Sequence, residues 1–300
     1  MAVFRRDLSV LPVFLAGSAR HGRSYRLQIA PCSQKFWHTS GMVTSSPIAA
    51  TPIAFARAIV SAYGRYGRDP AQVLRQAQIA PEQLDQPDAR ITAWQMETLS
   101  GTAMQELDDE ALGWFSRRLP WGSYGMLARA SISAPTLQLA LARWCRHHGL
   151  IAPDIALSLE VSGDVATISI SENFAAREDC AAGDSAPCPP PALRAPPLPA
   201  QNPQPHSLPA PVREFCLVSV LRNVLGLACW MVDSRIALLG AQFPFAAPPH
   251  ASAYAVLFSG PTTFGSSVAA IHFDAQYLKL PLRRDEKALQ QMLQHALPLT

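Results

Sequence analysis

The fold class follows from residues 133–170, which read SAPTLQLALARWCRHHGLIAPDIALSLEVSGDVATISI. Apolar residues in the first half recur at the spacing of one helix face, at Leu137, Ala140, Leu141, Trp144, Cys145 and His148. Pro135 lies in the expected first turn, and Gly149 is the expected C-cap. The second half alternates apolar and polar residues on both sides of Ser162-Gly163-Asp164, which predicts a β-hairpin.

The chain before this stretch keeps a helical period. Short polar residues precede several apolar runs there and predict helix starts at Thr51-Pro52, Asp69-Pro70, Thr92 with Gln95, and Asp108 or Asp109. The Thr92 and Gln95 pair has the spacing of a capping box. The last of these helices is expected to run through Leu112 and Phe115. We therefore expect an N-terminal helical subdomain.

The chain after the hairpin is expected to return to packed helices and strands. The pattern predicts a helix over 212–227, strands near 234–239, 253–258 and 267–273, and a final helix over about 284–296. The fold class is therefore α+β, with the helical subdomain followed by a mainly antiparallel sheet and packed helices.

Two segments fall outside these patterns. Residues 1–50 are basic and aperiodic and are expected to be disordered, with translation starting at Met1 or at Met42. About 181–211 is Pro-rich, which disfavours helix and sheet ladders and predicts a loop insertion. The remaining chain, 51–300, is expected to be one effector-sensing and dimerisation domain.

Charge and cysteine usage limit the function classes. Residues 1–50 carry six basic side chains against Asp7, about +5, so the total of +3 leaves about −2 for 51–300. A DNA-binding domain usually has a concentrated basic face, and neither such a face nor a recognition helix is visible. No run approaches the ~18–20 apolar residues of a membrane span. Six cysteines without a CxxC spacing indicate buried thiols and a reducing cytoplasm.

The order of landmarks over 51–300 resembles the arabinose-binding-like sensor domain at the N-terminus of AraC-type bacterial transcription regulators. The resemblance rests on Pro87-Asp88-Ala89-Arg90-Ile91, Gly122-Ser123-Tyr124-Gly125-Met126-Leu127, Ser133-Ala134-Pro135-Thr136-Leu137, Phe258, Pro261, Phe264-Gly265, Phe273-Asp274, Tyr277-Leu278 and Leu280-Pro281-Leu282. It implies a small-molecule sensor that often helps dimerisation, as a homodimer or with a full-length relative.

In that family a linker and two helix-turn-helix units follow the sensor domain, and none is visible here. We therefore expect a regulator truncated before its DNA-binding domain, through a fragment, a frameshift or a natural stand-alone form. The alternatives are a stand-alone small-molecule-binding or protein-interaction module and a small α+β enzyme. Specific DNA binding by this chain, a membrane location and a cofactor are not expected.

The candidate effector site combines apolar and charged side chains where the helices should meet the sheet: Trp121, Tyr124, Trp144, Arg222 and Phe264. For the aromatic residues, core packing is the alternative. Arg222 interrupts an apolar helix, and a buried guanidinium needs an anion partner. That partner is either Glu214, eight residues earlier, or a carboxylate of the effector.

No catalytic or metal-binding set is predicted. The run Gly122-Ser123-Tyr124-Gly125 is not GxSxG and is expected to be a turn between helices. His147 and His148 point about 100° apart on a helix, so they cannot chelate one metal; His148 is expected at the core edge and His147 in solvent. His272 and Asp274 share a strand face, which predicts a structural hydrogen bond between them.

Overall fold

The computed structural model describes residues 49–173 and 208–293. It is an α+β fold whose helices and strands, in chain order, are β1 Ala49–Pro52, α1 Ile53–Arg65, α2 Ala71–Gln76, β2 Arg90–Thr92, α3 Ala93–Leu107, α4 Ser123–Ile132, α5 Leu137–Ile151, β3 Ile155–Ser162, β4 Val165–Glu172, α6 Ala210–Val232, β5 Leu238–Phe243, α7 Tyr254–Leu257, β6 Thr262–Phe264, β7 Ala269–Asp274 and α8 Glu286–Leu293. The predicted fold class is confirmed.

The helical subdomain consists of α1, α2 and α3 with a two-stranded antiparallel sheet of β1 and β2. The capping box is confirmed, since the backbone N–H of Gln95 donates to the Thr92 hydroxyl over 3.2 Å. Asp69 accepts from the backbone N–H of Ala71 at the start of α2. The expected cap at Thr51-Pro52 is wrong, because both residues belong to β1 and no side chain caps α1.

The helix predicted after Asp108 or Asp109 is absent from residues 108–122. Asp108 and Leu112 adopt left-handed backbone conformations, with φ of 47° and 48°, which a right-handed helix cannot include. The Asp109 carboxylate instead accepts backbone N–H groups of Ala111, Gly113 and Leu119, at 2.6–3.0 Å. Asp109 therefore does not cap a helix. It holds a compact loop together, because its carboxylate accepts backbone N–H groups from three separate positions.

The predicted helix and hairpin are both present, but the expected place of Pro135 in the first helical turn is wrong, because Thr136 is the N-cap and α5 begins at Leu137. Helix α5 extends to Ile151, two residues past the predicted C-cap Gly149. Strands β3 and β4 pair from Ile155 opposite Glu172 to Ser162 opposite Val165, and Gly163, at φ 58°, makes the turn. The hairpin continues into a five-stranded sheet of order β3-β4-β7-β5-β6, in which only the short β5–β6 pair is parallel.

Two further expectations in the C-terminal half need correction. Residues 253–258, expected as a strand, form the end of a 3-10 turn and α7, because the backbone N–H of Phe258 bonds to the Tyr254 carbonyl over 2.8 Å. The strand expected near 234–239 begins later, at Leu238. Strand β7 ends at Asp274, one residue past its predicted range, and helix α8 lies within the range predicted for it.

Helix α6 is the central element of the core. It is longer than predicted and, contrary to the sequence-based expectation, is long and apolar enough to cross a membrane by length and composition. However, 72% of this stretch is buried inside the protein, which confirms its interpretation as a core element. It begins at Ala210, inside the segment assigned to the Pro-rich insertion. The predictions for residues 1–48, 181–207 and 294–300 lie outside the described residues.

Candidate functional site

A cavity of about 720 Å³ opens between α1, the start of α6 and the segment before α7. We call it the α1–α6 cavity, and its lining residues are Ala54, Arg57, Ala58, Ser61, Arg65, Pro87, Pro209, Pro211, Val212, Glu214, Pro248, Pro249 and His250. Its volume lies in the range of ligand pockets, roughly 300–1,000 Å³, and most of its wall is apolar. The arrangement is therefore suited to a small organic ligand.

The local sequence explains how each wall forms. Arg57, Ser61 and Arg65 are spaced by four residues on α1 and therefore share one helix face. Pro209 and Pro211 flank the start of α6, where the missing proline N–H groups cost no helical hydrogen bond. The third wall is a proline-containing turn at Pro248 and Pro249.

Two residues of the cavity wall, Glu214 and His250, form a polar cluster with Tyr254, which is buried and does not line the cavity. His250 Nε2 lies 2.7 Å from Glu214 Oε1, and the Tyr254 hydroxyl donates to the same oxygen over 2.7 Å. His250 and Tyr254 are one helical turn apart, so both rings face the carboxylate and stack on each other at 17°. Burial, and then the Glu214 charge, raise the pKa of the Tyr254 hydroxyl, so it remains a proton donor to Glu214.

The Glu214 carboxylate is engaged on one oxygen. Both hydrogen bonds that reach its side chain from the described residues end on Oε1, and none ends on Oε2. The residue is only 9% exposed, and its exposed part lines the cavity. The edge of Phe55 packs against His250, which supports the imidazole from behind. The cavity therefore contains a well-positioned acceptor with free capacity.

The α1 wall contributes positive charge. Arg65 donates to the carbonyl of Gly113, which fixes its guanidinium against the Asp109 loop. Arg57 is exposed, and within residues 49–173 and 208–293 it has neither a hydrogen bond nor an ion pair. The cavity thus has a carboxylate on α6 and an unpaired guanidinium on α1.

The structure places Tyr124 and Trp144 together, away from this cavity. Their rings stack with centroids 5.9 Å apart, and both side chains are at most 4% exposed. The Tyr124 hydroxyl lies 3.5 Å from Nε2 of the fully buried His148, whose pKa is lowered by burial to about 4. Trp121 is 40% exposed. Effector binding by these residues stays a prediction.

Arg222 contacts the last residue of α7, and Phe264 packs against the first. Arg222 Nη1 donates to the carbonyl of Leu257 over 2.6 Å, and its buried Nε has no hydrogen-bond partner in the described part of the chain. Burial lowers the pKa of this guanidinium. Phe264 packs edge-on against Tyr254, with centroids 5.1 Å apart. The expected Arg222–Glu214 pair is wrong, because Glu214 turns instead to His250 and Tyr254.

The other side chains considered for chemistry have structural partners. Gly122, at φ 99°, lies in a turn as expected, and Ser123 begins α4, where its hydroxyl donates to the Pro120 carbonyl. His272 contacts the Thr167 hydroxyl over 2.9 Å, while Asp274 accepts the backbone N–H of Gln276. The predicted His272–Asp274 bond is therefore wrong.

His148 is fully buried rather than at the core edge, and His147 is half-buried rather than solvated. Within residues 49–173 and 208–293, no group of three or more His, Cys, Asp or Glu side chains is placed to hold a metal ion.

None of the five predicted effector residues lines the α1–α6 cavity. Sequence reasoning missed Arg57, Ser61 and His250, and named Glu214 only as a partner of Arg222. One signal was available, since Glu214 is an acid near the start of an otherwise apolar helix. No sequence pattern connects α1 with the turn before α7, because the two are almost two hundred residues apart and meet only in the fold.

The comparison with protein families identifies the class of protein to which this fold belongs. Residues 67–184 and 201–282, more than half of the chain, match the family described as the arabinose-binding domain of AraC transcription regulator, N-terminal. The chain belongs to this family and is an effector-sensing regulatory domain. The resemblance inferred from the landmark residues is confirmed.

The individual relatives are also transcriptional regulators. The chain is similar to the ornithine utilization regulator of Pseudomonas aeruginosa, with 21% identity over 242 residues that cover 80% of this chain. It spans 62% of that relative's length. It is also similar to the solved transcriptional regulator CdpR from Pseudomonas aeruginosa, at 16% identity and a TM-score of 0.38, over 74% of this chain and 58% of that one.

Proposed function

We propose that this domain senses its small-molecule effector in the α1–α6 cavity. The observation that carries the proposal is a cavity of about 720 Å³ with mainly apolar walls and a few polar groups, at Arg57, Arg65, Glu214 and His250. Apolar walls supply binding free energy through buried area, and convergent polar groups select the ligand. The proposed site combines both properties.

The effector carries a carboxylate in this proposal, and Arg57 is the group that receives it. Arginine matches a carboxylate with two parallel N–H donors, and Arg57 is unpaired within the described residues. The relative named as an ornithine utilization regulator supports an effector of this type, since ornithine is an amino acid with a carboxylate. The earlier candidate for this role, Arg222, is a competing proposal.

A thermal-shift screen of carboxylates and neutral metabolites tests the site. A ligand that binds only the folded state stabilises it by ~2.7 kcal/mol at a hundredfold excess over its Kd. Ser61 is exposed on the cavity wall one helical turn from Arg57, so Ser61→Trp should obstruct that part of the cavity and reduce the shifts without unfolding the protein. Gln105→Trp, at an exposed position of α3 outside the lining, is the matched control and should leave the shifts unchanged.

Substitution of the two arginines separates the two sites. Arg57→Gln should remove the preference for carboxylates, and Arg222→Met should leave it intact. Loss of the shifts in Arg222→Met, with Ser61→Trp still responsive, would contradict the cavity and favour the site predicted from the sequence.

The proposal extends to partners, catalysis and location. We propose that the domain is cytoplasmic, has no catalytic activity, and acts as a homodimer or paired with a full-length relative. We also propose that this chain alone does not bind operator DNA specifically, which the charge of about −2 over 51–300 supports. Gel-shift titration at moderate salt tests this last statement, and a sequence-specific shift would contradict it.

A further inference from the structure

The free oxygen of Glu214 indicates a second feature of the effector. The two donors in contact with this carboxylate, His250 Nε2 and the Tyr254 hydroxyl, both lie 2.7 Å from Oε1. Oε2 accepts no hydrogen bond from any described residue. An ionised carboxylate has about four lone-pair positions on its two oxygens, so half of its acceptor capacity remains unused here.

An acceptor in this position favours a cationic donor. Glu214 is 9% exposed and contacts the His250 and Tyr254 rings, and at a buried position a charge interacts more strongly than in water. The ionisable groups in contact with it are His250 and Tyr254, and the Tyr254 hydroxyl is neutral because burial raises its pKa. No arginine or lysine among the described residues forms an ion pair with Glu214.

We propose that Oε2 of Glu214 binds a protonated amine of the effector, so that the effector is an amino-carboxylate rather than a simple organic acid. This inference rests on the proposed function of the α1–α6 cavity. The amine docks on α6 and the carboxylate docks on Arg57 of α1, so one ligand connects the two helices that form the cavity walls. Charge-assisted hydrogen bonds at both ends select against molecules with only one of the two groups.

The test uses matched pairs of probes on the whole chain. The twenty common α-amino acids, the corresponding 2-hydroxy acids, in which a hydroxyl replaces the ammonium, and simple diamines are screened by thermal shift and followed by calorimetry. At least one amino acid should bind, and its 2-hydroxy counterpart should bind roughly tenfold or more weakly, as expected for loss of a charged hydrogen bond. Diamines should be weaker than the amino acid because they do not engage Arg57.

Two substitutions locate the amine contact. Glu214→Gln keeps the side-chain shape and removes its charge, so the amino acid should lose about tenfold or more in affinity and its advantage over the hydroxy acid. His250→Gln leaves the carboxylate in place and should preserve that advantage. Glu286→Gln, an exposed glutamate of α8 paired with Arg129, is the matched control and should change nothing.

The outcomes distinguish this inference from the proposed function. Ligands without an amine that bind equally well, and bind more weakly to Ser61→Trp, would overturn the amine contact and leave the cavity assignment standing. Binding of any class with unchanged affinity in Ser61→Trp would overturn both. If no amino acid binds, or if His250→Gln rather than Glu214→Gln removes the preference, the inference is wrong. If Glu214→Gln fails to fold, the affinities of the wild-type chain for each amino acid and its 2-hydroxy counterpart still test the amine contact.

Discussion

The buried imidazole of His148 should make the stability of this domain fall steeply below neutral pH. His148 is fully buried on α5, beside Tyr124 and against the edge of Phe115, and its Nδ1 has no hydrogen-bond partner within the described residues. Burial lowers its pKa from 6.5 to about 4. The folded protein therefore holds this ring neutral over a pH range in which the unfolded chain protonates it.

The sign and size of the effect follow from proton linkage. Between pH 6.5 and 4 the unfolded state binds more protons than the folded state, so stability falls as the pH falls and levels off below about 4. One pKa unit corresponds to about 1.4 kcal/mol, so protonation of the unfolded chain can lower the free energy of unfolding by about 3 kcal/mol at most. About 2 kcal/mol of this decrease falls between pH 7 and pH 5. That is a large fraction of the stability of an ordinary domain.

Urea unfolding of the wild type and of His148→Gln, at intervals from pH 7.5 to 4.5, measures this contribution. The difference between the two unfolding free energies isolates it, because all other titrating groups are shared. The difference should shrink by about 2 kcal/mol from pH 7 to pH 5. The adjacent His147→Gln is the matched control and should follow the wild type. A constant difference between wild type and His148→Gln would refute the neutral buried histidine.

Two further predictions concern loops that hold the fold together. Asp109→Asn should destabilise the domain by about 1–3 kcal/mol in thermal unfolding, because it weakens a charged acceptor of three backbone N–H groups. An effect no larger than that of Asp108→Asn would contradict this role of Asp109. Gly260→Ala should cost about 1–3 kcal/mol in urea unfolding, because the new Cβ would lie 2.8 Å from the Leu238 carbonyl oxygen. An unchanged midpoint for Gly260→Ala would show that the loop adjusts without strain.

The elements that could be predicted from the sequence have local causes. The Thr92 capping box, the apolar stripe of α5 and the alternation around Gly163 act through neighbours within a few residues, and all three are present. The wrong predictions concern segments whose conformation depends on contacts with residues far away in the sequence. Residues 253–258 form a short apolar run of the kind found in strands, yet they fold into α7 and its C-cap, and Tyr254 and Phe258 pack against Phe243 of β5.

The candidate site was less predictable because it is assembled from three distant segments. The aromatic residues chosen from the sequence were prominent for their size, and Tyr124 and Trp144 pack in the core. Glu214 and Arg222 were correctly singled out as charges in an apolar helix, but their spacing of eight suggested the wrong partner. The actual partner of Glu214, His250, follows two prolines in a turn with no helical or strand period.

Helix α6 connects the cavity with the segment that precedes the last helix. Its 23 residues span about 34 Å, with Glu214 near the start. At its other end, the Met231 carbonyl accepts the backbone N–H of Arg283, and Asp233 pairs with Arg284, directly before α8. Over such an arm a tilt of about 5° displaces the far end by about 3 Å. A ligand that tilted α6 at the cavity would therefore also move the segment that leads into the last helix.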